Sequence, residues 1–320
     1  MKKRIFCGIL ALLLLLGLTA CGQRPVKEKD TLQVVCTVFP YYDFARQIAG
    51  DDANVTLLIA AGKETHSFEP TPLDVIRLSN ADVFIYNGGE SEEWVEDILA
   101  AAGENIPVTA AMMDLVELEE EQFAEGMQGS EHHHDEDDDG HEEEIEYDEH
   151  IWTSPVLAQK ICWGICGALC RADWENADAY VERTWDYIAE LEELDAAFRQ
   201  VTDNAQRRLL VFGDRFPLLY FCKTYDLDYR AAFHGCAGDT EPSLATLKYL
   251  IDKVNEEQIP VVYTIELSSQ KIAGAIAETT GAKVVSFHSC QQVSRAEFDA
   301  GETYLSLMWR NVDALKEGLS

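Results

Sequence analysis

Residues 32–60, LQVVCTVFPYYDFARQIAGDDANVTLLIA, decide the fold of this chain. The stretch begins with the apolar run LQVVCTVFP, continues with the amphipathic segment YYDFARQIAG, and ends with a second apolar run, NVTLLIA. Short apolar runs rich in β-branched residues predict buried strands, and the segment between them predicts a helix. Strand, helix and strand at this spacing predict a parallel sheet that is covered by helices.

The same alternation continues through the first half of the chain. The loop GKETHSFEPTP leads into the helix PLDVIRLSNA, the strand DVFIYNGG and a helix at about residues 92–101. Pro155, with Ser154 as a candidate N-cap, begins a further helix that reaches about Leu169. We therefore assign residues 32–170 to an N-terminal α/β lobe.

A long linking helix is predicted next, at residues 171–205. Its apolar positions have helical spacing and predict one buried stripe: Tyr180, Trp185, Ile188, Leu191 and Leu194. Strands and helices then alternate again from RLLVFG to a last helix at about residues 304–315, which predicts a C-terminal α/β lobe at residues 206–320. The predicted fold is thus two α/β lobes with parallel, helix-covered sheets, joined by one long helix. A ligand cleft is expected between the lobes, at the strand ends.

A short internal repeat relates the two lobes. The dipeptide FP at residues 39–40 recurs at residues 216–217, and His66 before EPT recurs as His234 before EPS. The repeat is brief, and it serves only to compare loop positions. It places His234 in the loop that corresponds to the His66 loop.

The N-terminus has the features of an export signal. Three basic residues precede an apolar run, residues 5–17, that is short for a membrane span. The tetrapeptide LTAC, residues 18–21, resembles the bacterial lipobox, in which the cysteine becomes the lipidated first residue. We expect residues 1–20 to be a lipoprotein signal peptide, Cys21 to carry the lipid, and residues 21–31 to be a tether to the membrane. An ordinary cleaved signal with an incidental cysteine is the alternative.

The chain is strongly acidic, and one segment carries much of the charge. The formal net charge is −33, and it becomes −36 when the signal and its three basic residues are removed. This balance argues against nucleic acid as a partner and suits a cation. Residues 117–149 hold seventeen carboxylates and no Lys or Arg. Their composition predicts a disordered loop at about residues 117–148.

Within that loop, the stretch EHHHDEDDDGHEEE at residues 131–144 combines four histidines with nine carboxylates. Imidazole groups favour zinc over manganese and calcium. We therefore interpret the stretch as an accessory loop that binds zinc loosely. Its candidate ligands are His132, His133, His134 and His141.

Nine cysteines are present in the chain. Cys162, Cys166 and Cys170 recur every four residues, which indicates either a thiolate site or, by preference, a packing stripe on one helix. Cys236 and Cys290 each follow a histidine by two residues and are candidates for a disulfide between neighbouring loops. One sequence does not determine which cysteines pair.

Several stretches together resemble the metal-binding solute-binding proteins of bacterial zinc and manganese ABC importers. They are FPYYDFARQIAGD, AGKETHSFEPTPLDVIRLSNADVFIYNGG, EHIWTSP, YTIE and GETYLSLMWRNVDALKEGL. The resemblance covers about residues 34–315. It implies two α/β lobes bridged by a rigid helix, with one divalent ion at the interface held by about four side chains.

The resemblance also implies metal ligands. His66 in THSFEP corresponds to the first ligand, His150 in EHIWTSP to the second, and Glu266, which closes PVVYTIE, to the acidic ligand of the C-terminal lobe. Imidazole suits zinc, and loops at strand ends can direct it into a cleft. A carboxylate at the end of an apolar strand is well placed only with a partner such as a cation.

One ligand position departs from the family pattern. Zinc-type members usually present a histidine after the first strand of the C-terminal lobe, and manganese-type members present a carboxylate there. The stretch VFGDRFP places Gly213 at this position. The candidate replacements, in order, are His234, Asp214 and His288. A bound water or a lower coordination number is a fourth option.

The leading hypothesis is a lipid-anchored, extracytoplasmic Zn²⁺-binding protein. It is expected to act as a monomer without enzymatic activity and to deliver its ion to an ABC permease driven by a cytoplasmic ATPase. A Mn²⁺ or Fe²⁺ binding protein of the same importer class is the first alternative, which Gly213 favours and the histidine-rich loop disfavours. A surface zinc hydrolase is a weaker alternative, because the sequence contains no HExxH or comparable signature. An added role as a surface adhesin or metal buffer stays open.

Overall fold

The structure, a computed structural model, describes residues 31–63, 65, 68–102, 108–128, 146–235 and 241–320. Several predicted features lie outside these residues: the signal peptide with Cys21, most of the tether, His66, Cys236, and the loop histidines His132, His133, His134 and His141. Residues 32–320 belong to one compact unit. Among the described residues, no helix has the length and apolarity needed to cross a membrane.

The first sheet consists of four parallel strands in the order β2-β1-β3-β4. The strands are β1 (Leu32–Cys36), β2 (Ala53–Leu57), β3 (Val83–Tyr86) and β4 (Val108–Ala111). The helices between them are α1 (Phe39–Ala49), α2 (Pro72–Ser79) and α3 (Trp94–Ala102). The strand–helix–strand pattern of residues 32–60 therefore forms the predicted parallel unit.

The second sheet repeats this topology with the order β6-β5-β7-β8, again all parallel. Its strands are β5 (Leu209–Phe216), β6 (Asp228–His234), β7 (Val261–Thr264) and β8 (Lys283–Ser286). Two helices connect the sheets, α4 (Pro155–Ala172) and α5 (Ala177–Asp203). The helices of the second half are α6 (Leu219–Tyr225), α7 (Leu244–Glu256), α8 (Lys271–Thr280), α9 (Arg295–Ala300) and α10 (Tyr304–Leu319). The matching strand order supports the internal repeat.

The long helix α5 confirms the predicted buried stripe except at one position. Tyr180, Ile188, Leu191 and Leu194 are buried, whereas Trp185 is 60% exposed. At about 100° per residue, Trp185 lies roughly 140° around the helix from Tyr180, away from the stripe. The prediction that Trp185 is buried is therefore wrong, because the other four positions already form the buried stripe.

One hydrophobic core extends through both halves of the molecule. Trp152 packs edge-on against Tyr41 with ring centroids 5.7 Å apart, and its backbone carbonyl accepts a hydrogen bond of 2.7 Å from the Tyr304 hydroxyl. Phe198 of the linking helix packs against Phe221 at 4.9 Å. The two sheets are therefore joined by a shared core as well as by a helix.

Part of the acidic stretch that was predicted to be disordered has a defined path. The Gln128 N–H donates to the Ala232 carbonyl at 3.0 Å, and the Glu119 N–H donates to the Tyr220 hydroxyl at 3.0 Å. The cause is a few apolar side chains among the acids, which pack against the core: Val116, Leu118, Phe123, Ala124 and Met127. We call residues 116–128 the crossing segment, because it runs from the first half of the molecule onto β6. The prediction of disorder is wrong for this segment, and residues 129–145 lie outside the described part.

The cysteines of α4 occupy packing positions. Cys162 and Cys166 are buried in the core, and Cys170 is half-buried, with its sulfur 3.9 Å from that of Cys166. This placement agrees with the packing interpretation. Cys290 carries a free, buried thiol.

Candidate metal site

His150 lies at the turn that precedes α4 and is completely buried. The Asp148 carboxylate holds it twice, accepting the backbone N–H at 2.8 Å and facing the ring Nδ1 at 3.2 Å. Burial lowers the pKa of His150, but the carboxylates of Asp148, Glu149 and Glu121 together raise that pKa further, so the net shift is upward. A carboxylate on Nδ1 fixes the ring and assigns Nε2 as the metal-binding nitrogen. His150 therefore has the environment typical of a ligating histidine.

Gly235 brings the second half of the molecule onto this imidazole. A Cβ atom on Gly235 would lie 2.9 Å from His150 Cε1 and 3.2 Å from its Nδ1. Only a residue without a side chain allows the end of β6 to approach the ring so closely. The His150 ring is therefore enclosed between the two sheets.

His234 is the last residue of β6 and lies next to Gly235. Its Nδ1 is 2.9 Å from a Glu121 carboxylate oxygen, and its ring lies 5.0 Å from that of Phe123. The Glu121 carboxylate also raises the pKa of His150. His234 and His150 therefore share a carboxylate neighbour at the end of β6. Of the three candidate replacements, His234 is the one whose chain neighbour, Gly235, lies against His150.

Glu266 is fixed two residues beyond β7. Its carboxylate accepts the backbone N–H of Ser289 at 2.7 Å, the Ser289 hydroxyl, and the Gln292 N–H at 3.4 Å. The Ser289 carbonyl in turn accepts the indole N–H of Trp152 at 2.9 Å. Because Trp152 follows His150 by two residues, this contact ties the Glu266 loop to the His150 turn.

Asp214 stabilises the backbone that leads to Glu266. The register of β5 shifts between Phe212 and Arg215, which marks a bulge. The Asp214 carboxylate accepts the Arg215 N–H at 2.9 Å and, through its other oxygen, the Ile265 N–H at 3.3 Å. Burial raises the pKa of Asp214. Both oxygens thus hold backbone groups, so the contacts favour a positioning role over the predicted ligand role.

Gly213 lies against the backbone of α8. A Cβ atom there would be 2.5 Å from the Cα and 2.6 Å from the N of Ala273. Real Cβ atoms do not approach backbone this closely. The position where relatives of the zinc type carry a histidine is therefore closed in this fold.

His288 is buried beside Glu266, with its Nδ1 3.5 Å from a Glu266 carboxylate oxygen. Its Nδ1 accepts the Cys290 N–H at 2.9 Å, and its Nε2 lies 3.9 Å from a Glu297 oxygen. Asn311 holds its backbone through two hydrogen bonds of 2.7 Å. These contacts fix the ring and backbone of His288, but its buried Nε2 makes no hydrogen bond with the described residues, so the third-ranked ligand role stays a prediction.

The segment that precedes His66 contacts the loop that fixes Glu266. The Gly62 N–H donates to the Val293 carbonyl at 2.8 Å, and the Gln292 side chain donates at 3.4 Å to a carbonyl three residues before Gly62. Gln292 also donates to Glu266. His66 itself lies outside the described residues.

The structure thus places Gly235, the neighbour of His234, against His150, and it links the Glu266 loop to the His150 turn through Trp152. In the described part of the chain, no group of three or more His, Cys, Asp or Glu side chains is arranged to hold a metal ion. Sequence reasoning missed the two carboxylates that orient the imidazoles. Asp148 was detectable, because a carboxylate two residues before a ligand histidine is a plausible orienting group. Glu121 was not, because more than a hundred residues separate it from His234.

Nearly all of the folded unit matches one protein family, and sequence relatives cover the same region. Residues 34–318 match the model described as "ZnuA: Zinc-uptake complex component A periplasmic". The high-affinity zinc uptake system protein ZnuA of Bacillus subtilis is 34% identical over 306 residues, which cover 94% of this chain and 93% of that protein. The zinc-binding lipoprotein AdcA of Streptococcus pneumoniae is 32% identical over 316 residues. That match covers 97% of this chain but 60% of AdcA, so this chain spans less than two thirds of AdcA.

A solved structure supports the same assignment. The crystal structure of the Zn(II)-bound ZnuA-like domain of Streptococcus pneumoniae AdcA has a TM-score of 0.73 and 29% sequence identity. The match covers 90% of this chain and 99% of that chain. These findings confirm the predicted resemblance and the two-sheet α/β fold. The chain belongs to the ZnuA family.

Proposed function

We propose that this protein captures Zn²⁺ outside the cell and delivers it to an ABC importer. The observation that carries the proposal is the buried His150 imidazole, which Asp148 orients at Nδ1 between the two halves of a ZnuA-family fold. The family and its zinc-binding relatives support zinc as the ion. Two or three imidazoles also favour zinc over Mn²⁺ or Fe²⁺.

The proposed ligands are His66, His150 and Glu266, with His234 as the fourth. His234 is preferred because Gly235, its neighbour, lies against His150, and because Glu121 orients its ring. Imidazole and carboxylate ligands in a set of four suit tetrahedral zinc. Asp214 is better assigned the role of holding the backbone beside Glu266.

The protein's own task is ligand exchange rather than catalysis. We propose that Cys21 anchors the mature chain in the membrane, that the chain acts as a monomer, and that a permease with its ATPase receives the ion. The histidine-rich loop is proposed to collect zinc near the cleft. Its ends support this role, because Gln128 bonds to Ala232 close to His234, and Glu146 bonds to Glu121.

Zinc titration of the lipid-anchored mature protein tests the central proposal. We expect tight binding of one Zn²⁺ in preference to Mn²⁺, large loss of affinity in His66→Ala, and retention of the tight site when residues 131–144 are deleted. Preference for Mn²⁺, or full affinity in His66→Ala, would refute the proposal.

His234→Ala tests the fourth ligand separately. We expect zinc affinity to fall by about 10–100-fold, because one of about four ligands is lost while the others stay fixed. Glu121→Gln should produce a smaller loss in the same titration, because it removes only the orienting carboxylate. Wild-type affinity in His234→Ala would assign the fourth position to another group, such as water.

Gly235→Ala tests the close approach of β6 to His150. The added Cβ would lie 2.9 Å from the imidazole, so the ring or the strand must move. We expect zinc affinity to fall by about 10-fold or more, as it does when orienting contacts are disturbed. Gly274→Ala is the matched control, because a Cβ there meets nothing within 4 Å. Equal affinities in the two variants would contradict the expected displacement.

A further inference from the structure

An exposed aromatic patch lies on the outer surface of α4 and α5. Trp174, in the turn between these helices, is 82% exposed, and Trp185 is 60% exposed. Val181, one helical turn before Trp185, is 38% exposed, and Trp163 of α4 packs edge-on against Trp185 with ring centroids 4.9 Å apart. We call these four residues the tryptophan patch. Single exposed apolar residues are common, but the Trp163–Trp185 pair with Val181 on the same helix, and the exposed Trp174 eleven residues before Trp185, together form a larger apolar surface of the kind that marks an interaction site.

The helix that carries the patch contacts the residues around the point where the polypeptide enters the folded unit. Arg183, on the stretch of α5 that carries the patch, forms an ion pair of 2.7 Å with Asp52. Asp52 directly precedes β2, and Ala53, the first residue of β2, lies opposite Leu32, the first residue of β1. The start of β1 therefore lies near this segment of α5, and the patch faces outward, because Arg183 and Trp185 are about 160° apart around the helix.

Chain length limits how far this end of the molecule can be from the anchor. If Cys21 carries the lipid, residues 21–31 are all that connects the membrane to Leu32. Fully extended, they span at most about 40 Å. The end of the folded unit where the chain enters is therefore held within about 40 Å of the lipid surface.

We propose that the tryptophan patch docks on the outer surface of the membrane bilayer, with its indole rings in the headgroup region. Indole has an apolar body and a polar N–H, and it is enriched at membrane interfaces for that reason. The inference rests on the lipid anchor proposed above. His234 and Glu266 lie at the carboxyl ends of β6 and β7, whereas Leu32 lies at the amino end of β1. Docking therefore keeps the proposed cleft away from the end of the molecule that is anchored.

Charges around the patch determine which bilayers it prefers. Asp178, Glu182 and Asp186 are exposed on the same helix. These carboxylates repel anionic headgroups, and salt screens that repulsion. Docking on phosphatidylcholine should therefore be insensitive to salt, whereas docking on phosphatidylglycerol should strengthen as salt is raised. A surface that docked by attraction of opposite charges would show the reverse.

Fluorescence quenching by lipid-borne bromine tests the inference. The lipidated mature protein is reconstituted into phosphatidylcholine vesicles with brominated acyl chains, and its tryptophan emission is compared with that in unbrominated vesicles. We expect a quenched component in the wild type that is lost in the Trp174→Ala, Trp185→Ala double variant. Trp309→Ala is the matched control, because Trp309 is 42% exposed on α10. This variant should keep the quenched component.

Vesicle flotation and zinc titration separate this inference from the proposed function. Equal quenching in the wild type and the double variant would overturn it, as would emission that depends on protein density alone, which would indicate that the patch contacts a second copy. Failure of the protein to float with the vesicles would remove the anchor and the inference with it. Zinc titration of the same samples tests the proposed function independently, and we expect wild-type affinity in both the double variant and Trp309→Ala.

Discussion

In the His150→Ala variant, zinc affinity is expected to fall by about 100-fold or more. Structural zinc sites bind with apparent free energies of about 10–16 kcal/mol, so each of four ligands accounts for about 3 kcal/mol, or about two orders of magnitude. His150 should lie at the upper end of this range, because its ring is completely buried and already oriented by Asp148. Little reorganisation is then needed when the ion binds, so removal of the imidazole loses most of the gain.

A graded series of variants distinguishes ligation from structural support. Asp148→Asn keeps the imidazole but weakens the contact on Nδ1, and we expect a loss of about 10-fold to 100-fold. Calorimetric titration with a competing chelator gives the affinities, and thermal unfolding without metal shows whether each variant is folded. Wild-type zinc affinity in a folded His150→Ala variant would exclude His150 from the site.

The sequence was sufficient to predict the fold because local signals agreed with one another. In residues 32–60, apolar runs, helical periodicity and spacing all indicate the same parallel unit, and the second half repeats it. The failures share one physical cause, which is that a pattern over a whole segment does not determine the environment of each side chain in it. The crossing segment was predicted to be disordered from its carboxylates, yet Phe123 and Met127 pack against the core. Trp185 was predicted to be buried from its spacing, although other residues already complete the stripe.

The site was only partly predictable for a different reason. His150 lies in EHIWTSP and Glu266 in YTIE, two short motifs that the family resemblance identifies directly. The environment of His234 depends instead on Glu121, from a segment that is remote in sequence. Steric exclusion is the least visible property in a sequence. Gly213 shows that a histidine is absent, but only the backbone of α8 shows that no side chain fits there.

Restoring the histidine that is typical of zinc-type relatives should therefore damage this protein. We expect Gly213→His to lower the free energy of unfolding by at least about 3 kcal/mol, the upper part of the range for overpacked cores. The clash is at 2.5–2.6 Å with the Cα and N of Ala273. A flexible side chain could rotate away, but here α8 itself must shift. Because α8 follows the Glu266 loop, zinc affinity should fall rather than rise.

Urea unfolding of the metal-free protein measures this effect. Gly274→Ala is the control, because Gly274 lies on α8, the helix that Gly213 contacts. A Cβ at Gly274 meets nothing within 4 Å, and alanine is the better helix former, so this variant should be unchanged or more stable by about 0.5–1 kcal/mol. A Gly213→His protein that was as stable as wild type and bound zinc more tightly would show that α8 can move aside. The glycine would then be a lost ligand that can be restored. The expected opposite result would show that the packing of α8 on β5 excludes a side chain at position 213. The ligand missing at that position must then come from elsewhere, and the proposed source is His234 at the end of β6.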